Sequence, residues 1–199
     1  MKPHEIQPVH PGTCIGHVHL KVASLDRALA FYRDVLGFQV MQRYGTQAVF
    51  LSAGGYHHHI GLNTWESDGG SPPPPGTTGL YHLAILYPNR EALAEAIRRV
   101  LHAGIPLDGA SDHGVSEAIY LRDPDGNGVE LYWDKPQQDW PRTDDGELAM
   151  STRPLDLDEL LMESPGNDIH SASAPAIGTT APGDAVSVST LVGSKPAMS

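Results

Sequence analysis

The pattern of hydrophobic and polar residues divides the first part of the chain into two similar halves. Each half opens with a short alternating run, passes a polar turn, and continues with apolar residues at every third or fourth position. Residues 17–38 and 82–105 show this order. Alternation has the period of a strand and the second spacing has the period of a helix, so each half predicts a strand followed by an amphipathic helix.

Further strands are predicted after each helix. Gly37 and Gly104 stand where a glycine commonly ends a helix, and the DPDGN sequence at 123–127 predicts a tight turn. The strand candidates are 39–43, 48–52 and 57–63 in the first half, and 105–107, 118–122 and 128–133 in the second. The order βαβββ therefore occurs twice, which predicts an α+β fold with mostly antiparallel strands.

The domain boundaries follow from changes in composition. The proline run 72–75 predicts a linker between the halves, 12–65 and 79–135, of one domain that spans 1–135. Residues 136–165 are expected to form an extension with a short leucine-rich helix. Residues 166–199 are rich in Ser, Ala, Gly, Pro and Thr and contain no aromatic residue, so they predict a disordered tail.

Composition narrows the class of protein. The chain carries 13 Lys+Arg against 24 Asp+Glu, a formal net charge of −11, which argues against nucleic acid or an anionic membrane as partner. No apolar run is long enough to cross a bilayer, and the N-terminal residues predict no secretory signal. The single cysteine, Cys14, allows no intramolecular disulfide and fits a reducing, cytoplasmic location.

The alternation of side chains along the predicted strands identifies three candidate metal ligands. His17 opens the first strand of one half, His82 opens the first strand of the other, and Glu130 alternates with apolar residues in the last strand. Two imidazoles and one carboxylate form the facial set used by non-haem Fe(II) enzymes, but Zn²⁺ also accepts these ligands. A plainer interpretation is a hydrogen-bonded strand histidine at His17 and a solvated edge residue at Glu130. The equivalent positions of the two histidines in the repeat favour metal binding.

Three segments resemble the vicinal oxygen chelate superfamily of glyoxalases, bleomycin resistance proteins and extradiol dioxygenases. They are GHVHLKVASLDRALAFYRDVLGF (16–38), GLYHLAILYPNREAL (79–93) and AIYLRDPDGNGVELYW (118–133). The nearest resemblance is to the catechol 2,3-dioxygenase-like, type I extradiol enzymes. It implies paired βαβββ modules whose sheets form a cup around a metal, with His17, His82 and Glu130 as ligands. Glyoxalase-type relatives carry a fourth carboxylate ligand near Gly61, where this chain has none.

The resemblance also implies residues that act beside the metal. A family tyrosine lies ten residues before the ligand glutamate, which matches Tyr120. A family histidine before the linker matches the cluster His57–His59, with His57 as the best match. A further family histidine matches His113 with a shorter spacing. Without the resemblance, Tyr120 would be a packed strand aromatic, and the histidines would be surface residues.

The implied function is an Fe(II)-dependent extradiol dioxygenase that cleaves a catechol-like diol with O₂. The sequence leaves two alternatives open. One is an isomerase, lyase or hydrolase that uses Mn²⁺, Ni²⁺ or Zn²⁺, and the other is a resistance module that binds a small ligand. Well-characterised family dioxygenases carry two such module pairs, whereas this chain has one. Paired-module proteins often dimerise, so a homodimer is compatible with the sequence.

Overall fold

The structure, a computed structural model, describes residues 7–163. The predicted disordered tail, 166–199, lies outside the described residues. The first half contains β1 (Val18–Lys21), α1 (Leu25–Leu29), a π-helical continuation (Ala30–Val35), β2 (Gln39–Tyr44), β3 (Ala48–Ser52) and β4 (Ile60–Asn63). The second half contains β5 (Leu83–Leu86), α2 (Arg90–His102), β6 (Leu107–Asp112), β7 (Ser116–Arg122) and β8 (Gly128–Asp134). A 3₁₀ turn (Gln137–Asp139), β9 (Arg153–Pro154) and α3 (Leu157–Leu161) follow.

The strands form two mixed sheets of the same design. The orders are β1-β4-β3-β2 and β5-β8-β7-β6-β9. In each half the first strand pairs in parallel with the last one, and the other neighbours within the half pair antiparallel. The predicted α+β class with paired βαβββ modules is confirmed.

Local sequence signals explain where the helices begin and end. The Asn89 side chain accepts a hydrogen bond from the Ala92 amide at 2.8 Å, which caps the start of α2. Gly37 and Gly104 have φ of +89° and +70°, the left-handed conformation that glycine adopts at helix ends. The first predicted helix is not regular throughout, since it widens into a π-helix. Leu36 N donates to Phe31 O at 3.0 Å there, the spacing of a π-helical turn.

Two strands differ from the prediction by three residues or more at one end. The fourth strand was expected over 57–63 but begins at Ile60, because Gly54 and Gly55 lie in the left-handed region and turn the preceding chain. The sixth was expected over 105–107 but spans Leu107–Asp112. Pro106 has no amide to donate to a ladder, so pairing begins after it.

The turn 123–127 joins the second half to the first helix. The buried Asp123 carboxylate accepts hydrogen bonds from the Asp125 and Asn127 amides, both at 2.9 Å, and from Tyr32 Oη at 3.0 Å. Burial and the neighbouring Asp123 carboxylate raise the pKa of Tyr32 far above its ordinary value, so its phenol stays protonated. The two halves therefore share one hydrophobic core.

The C-terminal extension, residues 136–163, packs back onto the second half. Strand β9 pairs with β6, and Leu160 of α3 is fully buried against the core. Arg90 of α2 donates to Glu117 at 2.7 Å and also contacts Glu163. Among the described residues, no helix is long and apolar enough to span a membrane.

Candidate metal and proton-transfer site

Neighbouring strands place Glu130 and Tyr120 side by side. Tyr120 of β7 and Ala84 of β5 flank Glu130 of β8 in register, so the side chains of this row project to the same face of the sheet. His82 lies one residue before β5. Gly128 permits this arrangement, because a Cβ there would stand 2.1 Å from the Tyr81 carbonyl oxygen and 2.9 Å from His82 Cβ.

His82 and Glu130 form a close pair. His82 Nε2 lies 2.9 Å from Glu130 Oε2, and the side chains are 31% and 13% exposed. A half-buried carboxylate needs a hydrogen-bond donor or a cation, and the imidazole supplies the first. The same two atoms converge as two ligands of one metal ion would.

Oε1, the second carboxylate oxygen of Glu130, is the first of three hydrogen-bonding groups in a row. Tyr120 Oη donates to Glu130 Oε1 at 3.1 Å and lies 2.8 Å from His113 Nε2. Burial, and then the nearby Glu130 carboxylate, raise the pKa of Tyr120 to about 12. The phenol therefore remains a proton donor at neutral pH. The structure brings together four of the predicted site residues: His82, Glu130, Tyr120 and His113.

Nδ1, the ring nitrogen of His82 that faces away from Glu130, has a different environment from Nε2. Within residues 7–163, His82 Nδ1 is the buried side-chain polar atom that has no hydrogen-bond partner. Histidines that bind metal ordinarily donate this second N–H to a carbonyl or carboxylate, which orients the ring. The ring nitrogen that faces Glu130 is Nε2, so a metal held by both residues would bind on that side of the ring.

His17 lies apart from this pair. Its side chain is exposed, and its ring contacts that of His58 with centroids 4.4 Å apart. No group of three His, Cys, Asp or Glu side chains in the described chain is close enough to hold a metal ion. Of the three predicted ligands, the structure brings His82 and Glu130 together. The role of His17 as third ligand stays a prediction.

His17 and His82 nevertheless line the same cavity. This cavity has a volume of about 760 Å³ and is bordered by β1 and β5. Its polar lining residues include His17, His59, His82 and Tyr132, and the rest of the wall is mostly apolar. A smaller recess of about 200 Å³ reaches His82 and Tyr120 from another side. A small molecule in the larger cavity would lie beside His82.

The histidine cluster 57–59 divides into different environments. His57 is exposed, with its Nδ1 2.8 Å from His58 Nδ1 and its ring against Tyr56. His59 lines the large cavity, and Ser52 Oγ lies 3.0 Å from its Nδ1. The sequence left open which of the three enters the pocket. The structure places His59 at the cavity wall, and the catalytic role of His57 stays a prediction.

Gly61 explains why β4 contributes no further ligand. The His19 ring lies over this glycine, and a Cβ built at Gly61 would stand 2.9 Å from His19 Cγ. His19 Nε2 pairs with Asn63 Nδ2 at 2.9 Å, which satisfies the ring. A larger side chain at position 61 would therefore overlap the His19 ring.

Sequence reasoning passed over Gly128 and Ser151. Gly128 makes room for the backbone at residues 81 and 82. The sequence does contain a signal for this, because a glycine in a strand often marks the close approach of another backbone segment. The Ser151 carbonyl oxygen lies 3.0 Å from His113 Nδ1. Nothing in the local sequence signals that contact, because it depends on how the extension folds back.

Comparison with known proteins identifies the family. Residues 14–131 match the model of the Glyoxalase/Bleomycin resistance protein/Dioxygenase superfamily. A solved glyoxalase/dioxygenase from Nostoc punctiforme is 19% identical with a TM-score of 0.54, and the match covers 66% of this chain and 99% of that one. This second likeness concerns the fold alone. The chain belongs to the glyoxalase/bleomycin resistance protein/dioxygenase superfamily, as its resemblance indicated.

Two characterised relatives are dioxygenases. Catechol-2,3-dioxygenase of Bacillus subtilis (strain 168) is 41% identical over 157 residues, which are 78% of this chain and 54% of that protein. Biphenyl-2,3-diol 1,2-dioxygenase 3 of Rhodococcus globerulus is 35% identical over 123 residues, 60% of this chain and 63% of that protein. The chain thus spans little more than half the length of these relatives. The similarity supports an enzyme of this superfamily.

Proposed function

We propose that the chain is a metal-dependent extradiol dioxygenase that opens the ring of a catechol-like diol with O₂. The observation that carries the proposal is the convergence of His82 and Glu130, 2.9 Å apart, beside a tyrosine and a histidine able to handle protons. The 41% identity to a catechol-2,3-dioxygenase supports this chemistry over others of the superfamily.

The metal would be Fe(II), with His82 and Glu130 as ligands and His17 as the proposed third. Manganese, nickel and zinc are the alternatives. When bound, Fe(II) supplies positions where both diol oxygens and O₂ can be held together. Because His17 borders the same cavity as His82, the proposed third ligand faces the space in which the substrate would lie.

The chain's own residues would bind and orient the diol. Tyr120 remains protonated at neutral pH and can donate to a diol or carbonyl oxygen near Glu130. His113 can receive or return a proton through Tyr120, since its Nε2 lies 2.8 Å from the hydroxyl. A histidine of the cluster 57–59 would take a proton from the diol, a role that suits an imidazole near neutral pH; we keep His57 as the proposed residue, with His59, which lines the cavity, as the alternative. The mostly apolar cavity wall would hold the ring and keep water away.

A second candidate is a module that binds a small ligand without chemistry. It is favoured by the cavity of about 760 Å³, whose mostly apolar wall would suit a small ligand. In either case we propose a cytoplasmic protein without nucleic-acid or membrane partners, and a homodimer as its state of assembly.

Oxygen uptake with a panel of catechols tests the proposal. Protein purified without oxygen and supplied with Fe(II) is expected to consume O₂ and form a yellow ring-opened product. Glu130→Gln should lose this activity, while Glu147→Gln, on an exposed residue of the extension, should keep it. Bound metal without O₂ uptake would favour an isomerase, lyase or hydrolase. Ligand binding without any metal would favour the resistance module.

A further inference from the structure

We propose that the C-terminal extension is part of the site, because the Ser151 carbonyl fixes the tautomer of His113 that faces Tyr120. His113 follows β6 and lies in the turn before β7, next to residues of the extension. Ser151 is thus a positioning residue, which acts on Tyr120 and Glu130 through His113. The catalytic consequence rests on the proposed function, whereas the tautomer itself can be measured independently.

The backbone of Ser151 makes two hydrogen-bond contacts with His113. His113 Nδ1 lies 3.0 Å from the Ser151 carbonyl oxygen, and the Ser151 amide donates to the His113 carbonyl oxygen at 3.0 Å. A carbonyl oxygen can only accept, so Nδ1 must carry the hydrogen. The Thr152 hydroxyl, 3.4 Å from Nδ1, can accept from the same N–H and does not oppose this assignment.

A hydrogen on Nδ1 determines whether Nε2, on the other side of the ring, donates or accepts. A neutral imidazole carries one hydrogen, so Nε2 has none when Nδ1 is protonated. Tyr120 Oη, 2.8 Å away, can then donate its only hydrogen to His113 Nε2. Glu130 Oε1, 3.1 Å away, competes for the same hydrogen. A neutral His113 therefore weakens the hydrogen bond from Tyr120 to this carboxylate oxygen. A free imidazole side chain in water prefers the opposite tautomer.

The extension is held firmly enough to impose this tautomer. Asp112, the residue before His113, is the strand-register partner of Arg153 in β9. Its carboxylate also accepts from Nζ of Lys135, the residue just before the extension, at 2.9 and 2.8 Å. Gly114, the residue after it, has φ of +79°, and a Cβ there would lie 2.9 Å from Pro141 Cγ. The turn that carries His113 therefore fits against the extension with no space for a larger residue.

Nitrogen-15 NMR of the histidine side chains tests the tautomer directly. The full chain is labelled and observed at a pH where His113 is neutral, and His113→Gln identifies its signals by their loss. We expect a pyrrole-type shift at Nδ1 and a pyridine-type shift at Nε2, with the Nδ1–H form favoured by about tenfold. A dominant Nε2–H form would overturn the proposal. Neither result depends on activity or metal.

Matched glycine variants test whether the extension sets the tautomer. Gly114→Ala creates the clash with Pro141, whereas Gly146→Ala imposes similar backbone strain, φ +83°, with no atom within 4 Å of the new Cβ. We expect Gly114→Ala to lose the Nδ1–H preference, Gly146→Ala to retain it, and Gly114→Ala/Pro141→Ala to regain part of it. An unchanged preference in Gly114→Ala, with the same unfolding midpoint as Gly146→Ala, would contradict the role of the extension.

Kinetics separate this inference from the proposed function. If the chain is a dioxygenase, kcat of Gly114→Ala should fall by roughly tenfold with KM little changed, because second-sphere groups orient rather than bind. Gly146→Ala should keep the wild-type kcat. If Gly114→Ala lost the tautomer preference but kept the wild-type kcat, the tautomer of His113 would have no role in catalysis. A chain with no dioxygenase activity would leave the tautomer result standing.

Discussion

Gly61 has no side chain, and this leaves room for the imidazole of His19. Its ring lies over Gly61, between Phe50 and Trp65, with ring centroids 5.9 and 5.6 Å away, and it bonds to Asn63. Burial, and then the nearby His17, lower the pKa of His19, so the neutral ring is favoured. His19 therefore stabilises the first sheet, whereas His82 faces a carboxylate.

Gly61→Ala should destabilise the protein by about 1–3 kcal/mol, since the new methyl group would overlap the His19 ring. His19→Ala removes the obstacle, so the double variant should lose less than the sum of the two single variants. Urea unfolding of the four proteins measures this coupling. Additive losses would mean that the His19 ring does not occupy the space above Gly61.

The side-chain pattern predicted part of the site at this scale. Alternation placed Glu130 on the polar face of its strand, and the resemblance added Tyr120, which the register sets directly opposite. The contact of His113 with Tyr120 depends on the shape of a turn, which alternation does not describe. The separation of His17 from His82 and Glu130 likewise depends on how the two halves meet, a long-range property.

At the scale of elements, the β6–β7 turn connects the sheet with the extension. Asp112 binds the residue that immediately precedes the extension, because Lys135 Nζ lies 2.9 and 2.8 Å from its two carboxylate oxygens. The predicted strands matched the observed ones closely where the strand itself is rich in buried apolar residues, as in β3 and β8. The polar strand β6 extends beyond its prediction, because its pairing partners stabilise it rather than its own sequence.

The stability of this turn should depend on pH. Burial alone would raise the pKa of Asp112, but hydrogen bonds from Lys135 and the Gly114 amide outweigh it and hold the pKa below its usual value. A lowered folded-state pKa adds stability above the ordinary value, near 4, and this contribution is lost as the pH falls through the folded-state pKa.

Asp112→Asn should therefore lower the free energy of unfolding by about 1 kcal/mol near neutral pH, since the ion pair is partly exposed. The difference from wild type should shrink below about pH 4, where the wild-type carboxylate takes up a proton. Denaturant unfolding at a series of pH values measures this, with Asp134→Asn, on an exposed residue, as control. A difference independent of pH would show that the carboxylate charge is not what stabilises the turn.

At the scale of the whole molecule, two repeated modules share one core and enclose a common cavity. The repeat itself was visible in the sequence, since each half shows the same succession of periodicities. The contacts that join the halves were not, because Tyr32 and Asp123 are 91 residues apart.

The central claim is that His82 and Glu130 hold a metal ion. Anaerobic titration of the full chain with Fe(II), followed by iron analysis of the separated protein, tests it most directly. We expect one iron per chain in the wild type and in His102→Ala, which alters an exposed histidine of α2, and little or none in His82→Ala. Equal iron in His82→Ala and the wild type, or no iron in the wild type, would contradict the claim.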